Sequence, residues 1–436
     1  MLSQPTTVVT RRLLHLTQAV AAAPEQPISR LMSDALKNPG LISLAAGFVD
    51  EQSLPCQMIE ETIARLLRNP MRGRQSLQYG LTEGDANLRL LIAQRYFAGC
   101  HDQHAANMVL TAGSNQLLHL ITQCLLEPGD LVLCAAPTYF VYLAMLRDLG
   151  VDAVSIATDD AGMIPEALDQ TLSDLTAQGQ RERIKLLYLV PYFDNPAATT
   201  MTIHRRQEIL QVLERHQTGG PPIALLADNA YRDLRYDGVD EPCFIDCGAD
   251  PALTIETGTF SKNLAPGIRV GWGVLPEPLR TGLLRRKSVI DFGSPSFSQA
   301  IVRQLMLDGL LDDHLKGSLL PTYQDKRDAM VAACQRQLSA IEGVHFQIPQ
   351  GGLYVWLRLP PEIAASPGAP LWNACLHRGV LYVPGELCFA SEGAKIQRNT
   401  IRLSFGVQSE AGISKGIELL AQAITEVRAS GTTSCC

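Results

Sequence analysis

The sequence predicts an α/β fold, with a large domain on a mostly parallel sheet joined to a smaller α+β domain. Three observations carry that expectation. At 436 residues, 46% hydrophobic and 19% charged, the chain exceeds one typical domain but suits two domains built around one α/β core. From Val109 to Gly273 short apolar runs alternate with helical stretches, the pattern of strands linked by crossovers. After the charged amphipathic helices that end near Leu338, the strand-like runs Val344–Ile348, Gly351–Leu357, Gly379–Gly385 and Asn399–Phe405 close a small α+β unit. The division expected is an arm over 1–27, a small domain from 28–70 and 318–436, and a large domain over 71–317.

Composition removes several function classes. A net charge of -7 argues against a general nucleic-acid binder. No apolar run is long enough to cross a membrane. The eleven cysteines are an odd number without framework spacing, and Cys124 and Cys134 sit in apolar runs as small hydrophobes. That usage points to a reducing compartment, and cytoplasm is the expectation. Met1 to Ala23 lacks acidic residues and carries Arg11 and Arg12, which fits a transit peptide or, more simply, an arm. Cys435-Cys436 reads as a frayed tail rather than a lipidation or redox site. His101-x-x-His104 has no third ligand nearby and is expected in a solvated loop. No serine–histidine–acid elbow is present.

Taken in order, Pro27–Leu36 reads as a short amphipathic helix carrying Arg30, and Leu41–Gly47 as an extended segment whose Gly47 permits close backbone approach. Leu77-Gln-Tyr-Gly-Leu-Thr-Glu-Gly84 is a glycine turn over which Tyr79 packs. Met108–Leu118 reads as strand, tight turn and helix start. Free N–H groups at Gly113, Ser114 and Asn115 would suit a phosphate, although Ser-Asn also begins many helices purely as a cap. The strand Leu131–Ala135 ends in Pro137-Thr-Tyr139, where ligands collect in open α/β sheets; Tyr139 can stack on a flat ring there or simply pack. Lys185–Pro191 is a strand followed by Asp194-Asn195-Pro196, by itself a turn. Asp228 closes the apolar strand Pro222–Asp228. An unpaired carboxylate there costs several kcal/mol, so it needs a cation, unless it caps a helix.

The remaining stretch organises the rest. Glu256-Thr-Gly-Thr-Phe-Ser-Lys-Asn-Leu-Ala-Pro-Gly-Ile-Arg-Val-Gly-Trp272 leaves an apolar run, presents Thr259, Ser261 and Lys262, turns at Pro266-Gly267 and re-enters an apolar run at Arg269. A lysine between two buried strands is costly unless neutralised or bonded. A Schiff base to an aldehyde cofactor removes that cost, with Thr259, Ser261 and Arg269 left to hold a phosphate dianion. The plain alternative is a surface loop with an ordinary Lys and one Arg ion pair.

Thr-Phe-Ser-Lys-x-x-x-Pro-Gly-x-Arg-x-Gly-Trp resembles the lysine motif of class I/II pyridoxal 5'-phosphate (PLP) aminotransferases. It is most similar to the branch of 2-aminoadipate and aromatic aminotransferases and the C-terminal domains of MocR-type regulators. The resemblance runs from about Ile28 onward, with several motifs in the same order. It implies the PLP-dependent transferase fold type I, with a seven-stranded-type sheet, and a Lys262 Schiff base to PLP. It implies cofactor contacts from Gly113, Ser114, Asn115, Tyr139, Asn195, Asp228, Tyr231, Thr259, Ser261 and Arg269. Asp228 would pair with the pyridine nitrogen, and Asn195 and Tyr231 would reach the phenolic oxygen. Tyr79 would reach the phosphate of the other subunit of a homodimer with shared active sites.

On the substrate side the resemblance implies Gly47, Asn195 and Arg402, the last gripping the α-carboxylate, although a strand-edge salt bridge is the commoner use of such an arginine. Arg30 would meet an acidic side chain or stand exposed. Two departures are visible. Ala46 and Val49 replace the usual glycine and proline of Ala-Gly-Gly-Leu-Pro, and Asn195-Pro-Ala-Ala replaces Asn-Pro-Thr-Gly. The implied reaction moves an amino group from an L-amino acid to a 2-oxo acid in two half-reactions. A PLP lyase or synthase is the second expectation, because cofactor residues alone do not choose a carbanion's fate. A non-catalytic PLP sensor is the third; roughly 30 leading residues are too few for a winged-helix domain.

Overall fold

The computed structural model describes residues 40–432. The N-terminal arm, the expected helix with Arg30, and Cys435-Cys436 lie outside the described residues. In chain order the strands are β1 (Ile42–Ser43), β2 (Met108–Thr111), β3 (Leu131–Ala136), β4 (Asp152–Asp159), β5 (Gly162–Met163), β6 (Ile184–Leu189), β7 (Ala224–Asp228) and β8 (Thr254–Thr259). They continue with β9 (Gly271–Val274), β10 (His345–Phe346), β11 (Tyr354–Arg358), β12 (Val380–Leu381), β13 (Val383–Pro384), β14 (Glu392–Gly393) and β15 (Thr400–Ser404).

The central sheet runs β14-β4-β3-β6-β7-β8-β9-β2, with β5 hairpinned onto β4. Without the two-residue strands β14 and β5, this is the expected seven-stranded sheet. β9 pairs antiparallel with both β8 and β2, whereas the pairs from β4 to β8 are parallel. The sequences explain the placement. β3, β6 and β7 are near-continuous apolar runs covered on both faces, as parallel strands require. Successive side chains go to opposite faces. Thus Val132, Leu186, Tyr188 and Leu226 join one core layer, and Leu131, Leu133, Leu187 and Leu225 join the other.

The β8–β9 hairpin is drawn tight by glycine. Gly258 faces Trp272, and a Cβ there would run into the indole. That indole stacks on Tyr96 with ring centroids 5.0 Å apart. The loop bearing Lys262 is therefore anchored at both strand ends.

A second sheet, β10-β11-β15-β13, is antiparallel, and β1 pairs with β12. Leu44 bonds Leu381 and Ser404 through its backbone, which carries the 44–47 segment from this sheet toward the central one. No helix among the described residues is long and apolar enough to cross a membrane. One expectation is corrected. His101–Asn107 is a helix rather than a solvated loop, and His104 is buried, stacked 4.5 Å from Phe97, whose ring supplies the apolar cover.

Candidate active site

The carboxyl ends of the parallel strands converge on a cavity of about 420 Å3. Its lining includes Gly47, Ser114, Asn115, Tyr139, Asn195, Asp228, Tyr231, Thr259, Ser261, Lys262, Arg269 and Arg402. Gly113 lies directly behind it. The structure therefore brings together every described residue singled out from the sequence except Tyr79, which is 80% exposed on the surface.

Lys262 follows β8 and points inward, its Nζ donating to the Gly47 carbonyl at 2.9 Å. Burial, more than any charge, holds its amine below the ordinary lysine value; Tyr354 works against that shift, and Arg402 and Arg269 reinforce it. Burial and this shift are the conditions under which a lysine amine can serve as nucleophile or base.

Asp228 ends β7. One carboxylate oxygen, Oδ2, accepts from the Tyr188 hydroxyl at 3.1 Å, and Oδ1 is buried without a partner. Burial pushes this carboxyl up to about 6, opposed by the bonds from Tyr188 and the Ala230 amide. A turn follows the strand, not a helix, so the capping alternative falls away. An orphaned carboxylate oxygen on a cavity wall calls for a cationic N–H donor.

At the other end, Gly113 takes φ +86°, and a Cβ there would collide with the Arg269 guanidinium. Gly113 is itself the N-cap of the Ser114–Leu125 helix, without a side-chain cap, so Ser114 and Asn115 open that helix with amides free. Arg269 adopts left-handed backbone (φ 51°) and is held by the carbonyls of Pro266 (3.0 Å) and Ala112 (3.1 Å). Its Nη1 reaches Ser261 Oγ at 3.4 Å, and Thr259 Oγ1 lies 3.0 Å from the same hydroxyl. Helix amides, two hydroxyls and a guanidinium make an anion cradle.

Arg402 is an interior residue of β15, flanked by Trp356 and Val383 in register. It donates to Asn195 Oδ1 (2.8 Å) and the Ala45 carbonyl (2.7 Å). Its guanidinium carbon lies 4.3 Å from the Tyr354 ring centroid, and Nε has no partner. The strand-edge ion pair is thus not what it makes. Asn195 Nδ2 donates to the Tyr231 hydroxyl at 3.3 Å. Sequence reasoning missed Tyr188, Tyr354 and the apolar wall of Phe48, Phe140, Val141 and Val190. The available signal was a tyrosine in each of two apolar strands, since a buried phenol needs a partner.

The Aminotransferase class I and II family matches residues 39–418. An aromatic-amino-acid aminotransferase of Thermococcus litoralis is 34% identical over 389 residues, 88% of each chain. The structure of a kynurenine aminotransferase of Pyrococcus horikoshii, solved with PMP, superposes with TM-score 0.85 at 30% identity, covering 94% of this chain and 97% of that one. An alpha-aminoadipate aminotransferase of Thermus thermophilus, solved with N-(5'-phosphopyridoxyl)-L-leucine, gives TM-score 0.81 at 28% identity, over 95% and 98%.

The chain belongs to the class I and II aminotransferases and has the fold type I architecture. It is a PLP-dependent aminotransferase, acting on an amino acid and a 2-oxo acid.

Proposed function

We propose that Lys262 is the catalytic lysine of this transamination and that the cavity around it holds PLP and an L-amino acid with an aromatic or large aliphatic side chain. The observation that carries the reading is the unpartnered Asp228 Oδ1 in the wall of the cavity that Lys262 enters. PLP supplies an aldehyde that bonds an amine and a protonated pyridine ring that accepts electrons. The residues fit it. Asp228 would receive the ring N–H, the Gly113–Asn115 turn with Thr259, Ser261 and Arg269 would bind the phosphate, and Tyr139 would lie against the ring. Asn195 and Tyr231 would hold the phenolic oxygen.

Lys262, whose amine burial shifts below the ordinary lysine value, would be the residue that bonds the aldehyde and, when free, would hold the Cα proton on Nζ. Arg402 takes the substrate carboxylate beside Asn195, against the backbone of Gly47. The walls left over among the described residues are Phe48, Phe140, Val141 and Val190, which favour apolar donors. Arg30, outside the described residues, is the remaining candidate partner for an acidic donor.

An exposed apolar surface joins Tyr79 to Phe292, with ring centroids 5.5 Å apart, and continues with Leu77, Leu81, Val289 and Ile290. It fits a homodimer in which Tyr79 of each subunit reaches the phosphate bound by the other. Nine described cysteines are all free, which supports a reducing, cytoplasmic setting. Residues 28–70 with 318–436 are taken as the small domain, and 71–317 as the large one.

The test is kcat/KM over a panel of donors in the wild type and Lys262→Ala. The reading expects aromatic and branched donors to lead and Lys262→Ala to be inactive. Near-normal turnover in that variant would remove Lys262 from the reaction. A preference for aspartate or glutamate would overturn the donor class.

A further inference from the structure

Tyr354 begins β11 and lines the cavity, yet none of the roles above uses it. Its side chain is buried, with only 1% exposure, and its hydroxyl lies 3.1 Å from that of Tyr231. The Tyr231 oxygen also accepts from Asn195 at 3.3 Å. A phenol carries one proton and two lone pairs. If Tyr231 donates to Tyr354, its proton is unavailable to a ligand. If Tyr354 is the donor, the Tyr231 oxygen accepts two bonds and its own proton is free to enter the cavity.

The same hydroxyl sits 2.7 Å from where a Cβ on Gly47 would lie. The carbonyl of Gly47 holds Lys262 Nζ at 2.9 Å. The Tyr354 oxygen thus meets the Tyr231 phenol and fills the space a side chain at residue 47 would need, beside the carbonyl that anchors the lysine. The groups that face Tyr231 are Tyr354, Tyr139 and Arg402, and those that face Lys262 are Tyr354, Arg402 and Arg269.

We propose that Tyr354 is a positioning residue for the transamination. Its hydroxyl donates to Tyr231, so that Tyr231 presents its proton to the phenolic oxygen of PLP, and its location restricts residue 47 to glycine. The proposal rests on the cofactor-binding role given to Tyr231 above. Without the Tyr354 hydroxyl, Tyr231 is a weaker donor. The negative form of the phenolic oxygen then loses stabilisation, and the cofactor's proton is held to higher pH.

The experiment uses the holoenzyme and follows the visible absorbance band of bound PLP as pH is varied. Tyr354→Phe is expected to move the band's midpoint upward by about half a pH unit or more, and to lower kcat/KM about tenfold. Gly47→Ala alone pushes the hydroxyl aside and moves the midpoint the same way. Combined with Tyr354→Phe, the added methyl meets no hydroxyl, so the double variant keeps the midpoint of Tyr354→Phe alone.

A midpoint unmoved in Tyr354→Phe, or fully additive midpoint shifts in the double variant, overturns the proposal. A wild type with no visible band overturns the cofactor reading of the site and this inference with it. A titrating wild-type band beside an unmoved Tyr354→Phe band overturns this inference alone.

Discussion

Asp228 concentrates the electrostatics of the site in one side chain. Its Oδ1 has no donor, and burial raises its carboxyl from the ordinary 3.8 to about 6. A carboxyl raised in the folded state binds its proton more tightly there than in the unfolded chain. It therefore contributes stability at low pH, and that contribution is lost as pH rises from the ordinary carboxylate value toward 6. About two pKa units correspond to roughly 3 kcal/mol. Cofactor-free wild type should accordingly lose roughly that much stability relative to Asp228→Asn between about pH 4 and pH 7. Denaturant melts of both proteins across that range check the difference. Added PLP should restore stability to the wild type at neutral pH and much less to the variant. Gly113 makes a second prediction at this scale. A methyl there meets both a left-handed φ of +86° and the Arg269 guanidinium. Gly113→Ala should weaken PLP binding by about 100-fold, the loss of roughly two charge-assisted bonds, read by fluorescence titration.

Between elements, the cofactor residues are held by contacts on their far side. The turn after β7 carries Tyr231 and then Asp233, and the loop after β8 carries Lys262 and then Asn263. Asp233 accepts from Arg95 at 3.1 Å, from the Tyr96 hydroxyl at 2.5 Å and from the Asn263 amide. This clamp fixes Tyr231 and Lys262 relative to each other. Asp233→Ala should lower stability by about 2 kcal/mol, less than a fully buried pair because Arg95 keeps Asp312, and should reduce kcat more than KM. Urea unfolding and steady-state rates test the two halves separately. An equivalent chain, Lys287 to Asp291 to Gln116 to the Ala112 amide, steadies the turn at Gly113.

Neither network was legible in the sequence, because the bonds that tie each one together, Asp233 to Arg95, Tyr96 and Asn263 and Gln116 to Asp291, join residues far apart in the chain that only the fold brings together. The residues proposed to hold the cofactor were legible for the opposite reason. Lys262, Asp228 and Gly113 each put a costly feature where a strand ends, and local cost can be read locally. Tyr354 and Tyr188 carry only the milder cost of a phenol in an apolar strand. Each looks like an ordinary strand tyrosine until the fold brings its hydroxyl to Tyr231 or Asp228.

At the scale of the whole molecule, the alternation of apolar runs and helices foretold the parallel sheet, since buried parallel strands must be apolar on both faces. The antiparallel course of β9 was not stated in advance, because direction depends on pairing with β2 and β8. His104 was misjudged because its cover, Phe97, approaches only once the 101–107 helix has formed. The exposed Tyr79–Phe292 surface is an unanswered demand of the fold, which the proposed homodimer would meet. Phe292→Asp should convert a species of twice the chain mass into monomers, measured by sedimentation, with activity lost in step because Tyr79 no longer reaches a neighbouring site.

The central claim is that Lys262 holds PLP and exchanges it for an amino acid. Its most direct test is the absorbance spectrum of the purified protein, recorded before and after adding an aromatic L-amino acid, in the wild type and in Lys262→Ala. A visible band in the wild type that converts to a near-ultraviolet pyridoxamine band with release of a keto acid, and no such conversion and turnover in Lys262→Ala, is the predicted result. A wild-type band that persists in the presence of every donor, or an alanine variant that completes the same conversion at the same rate, would contradict it.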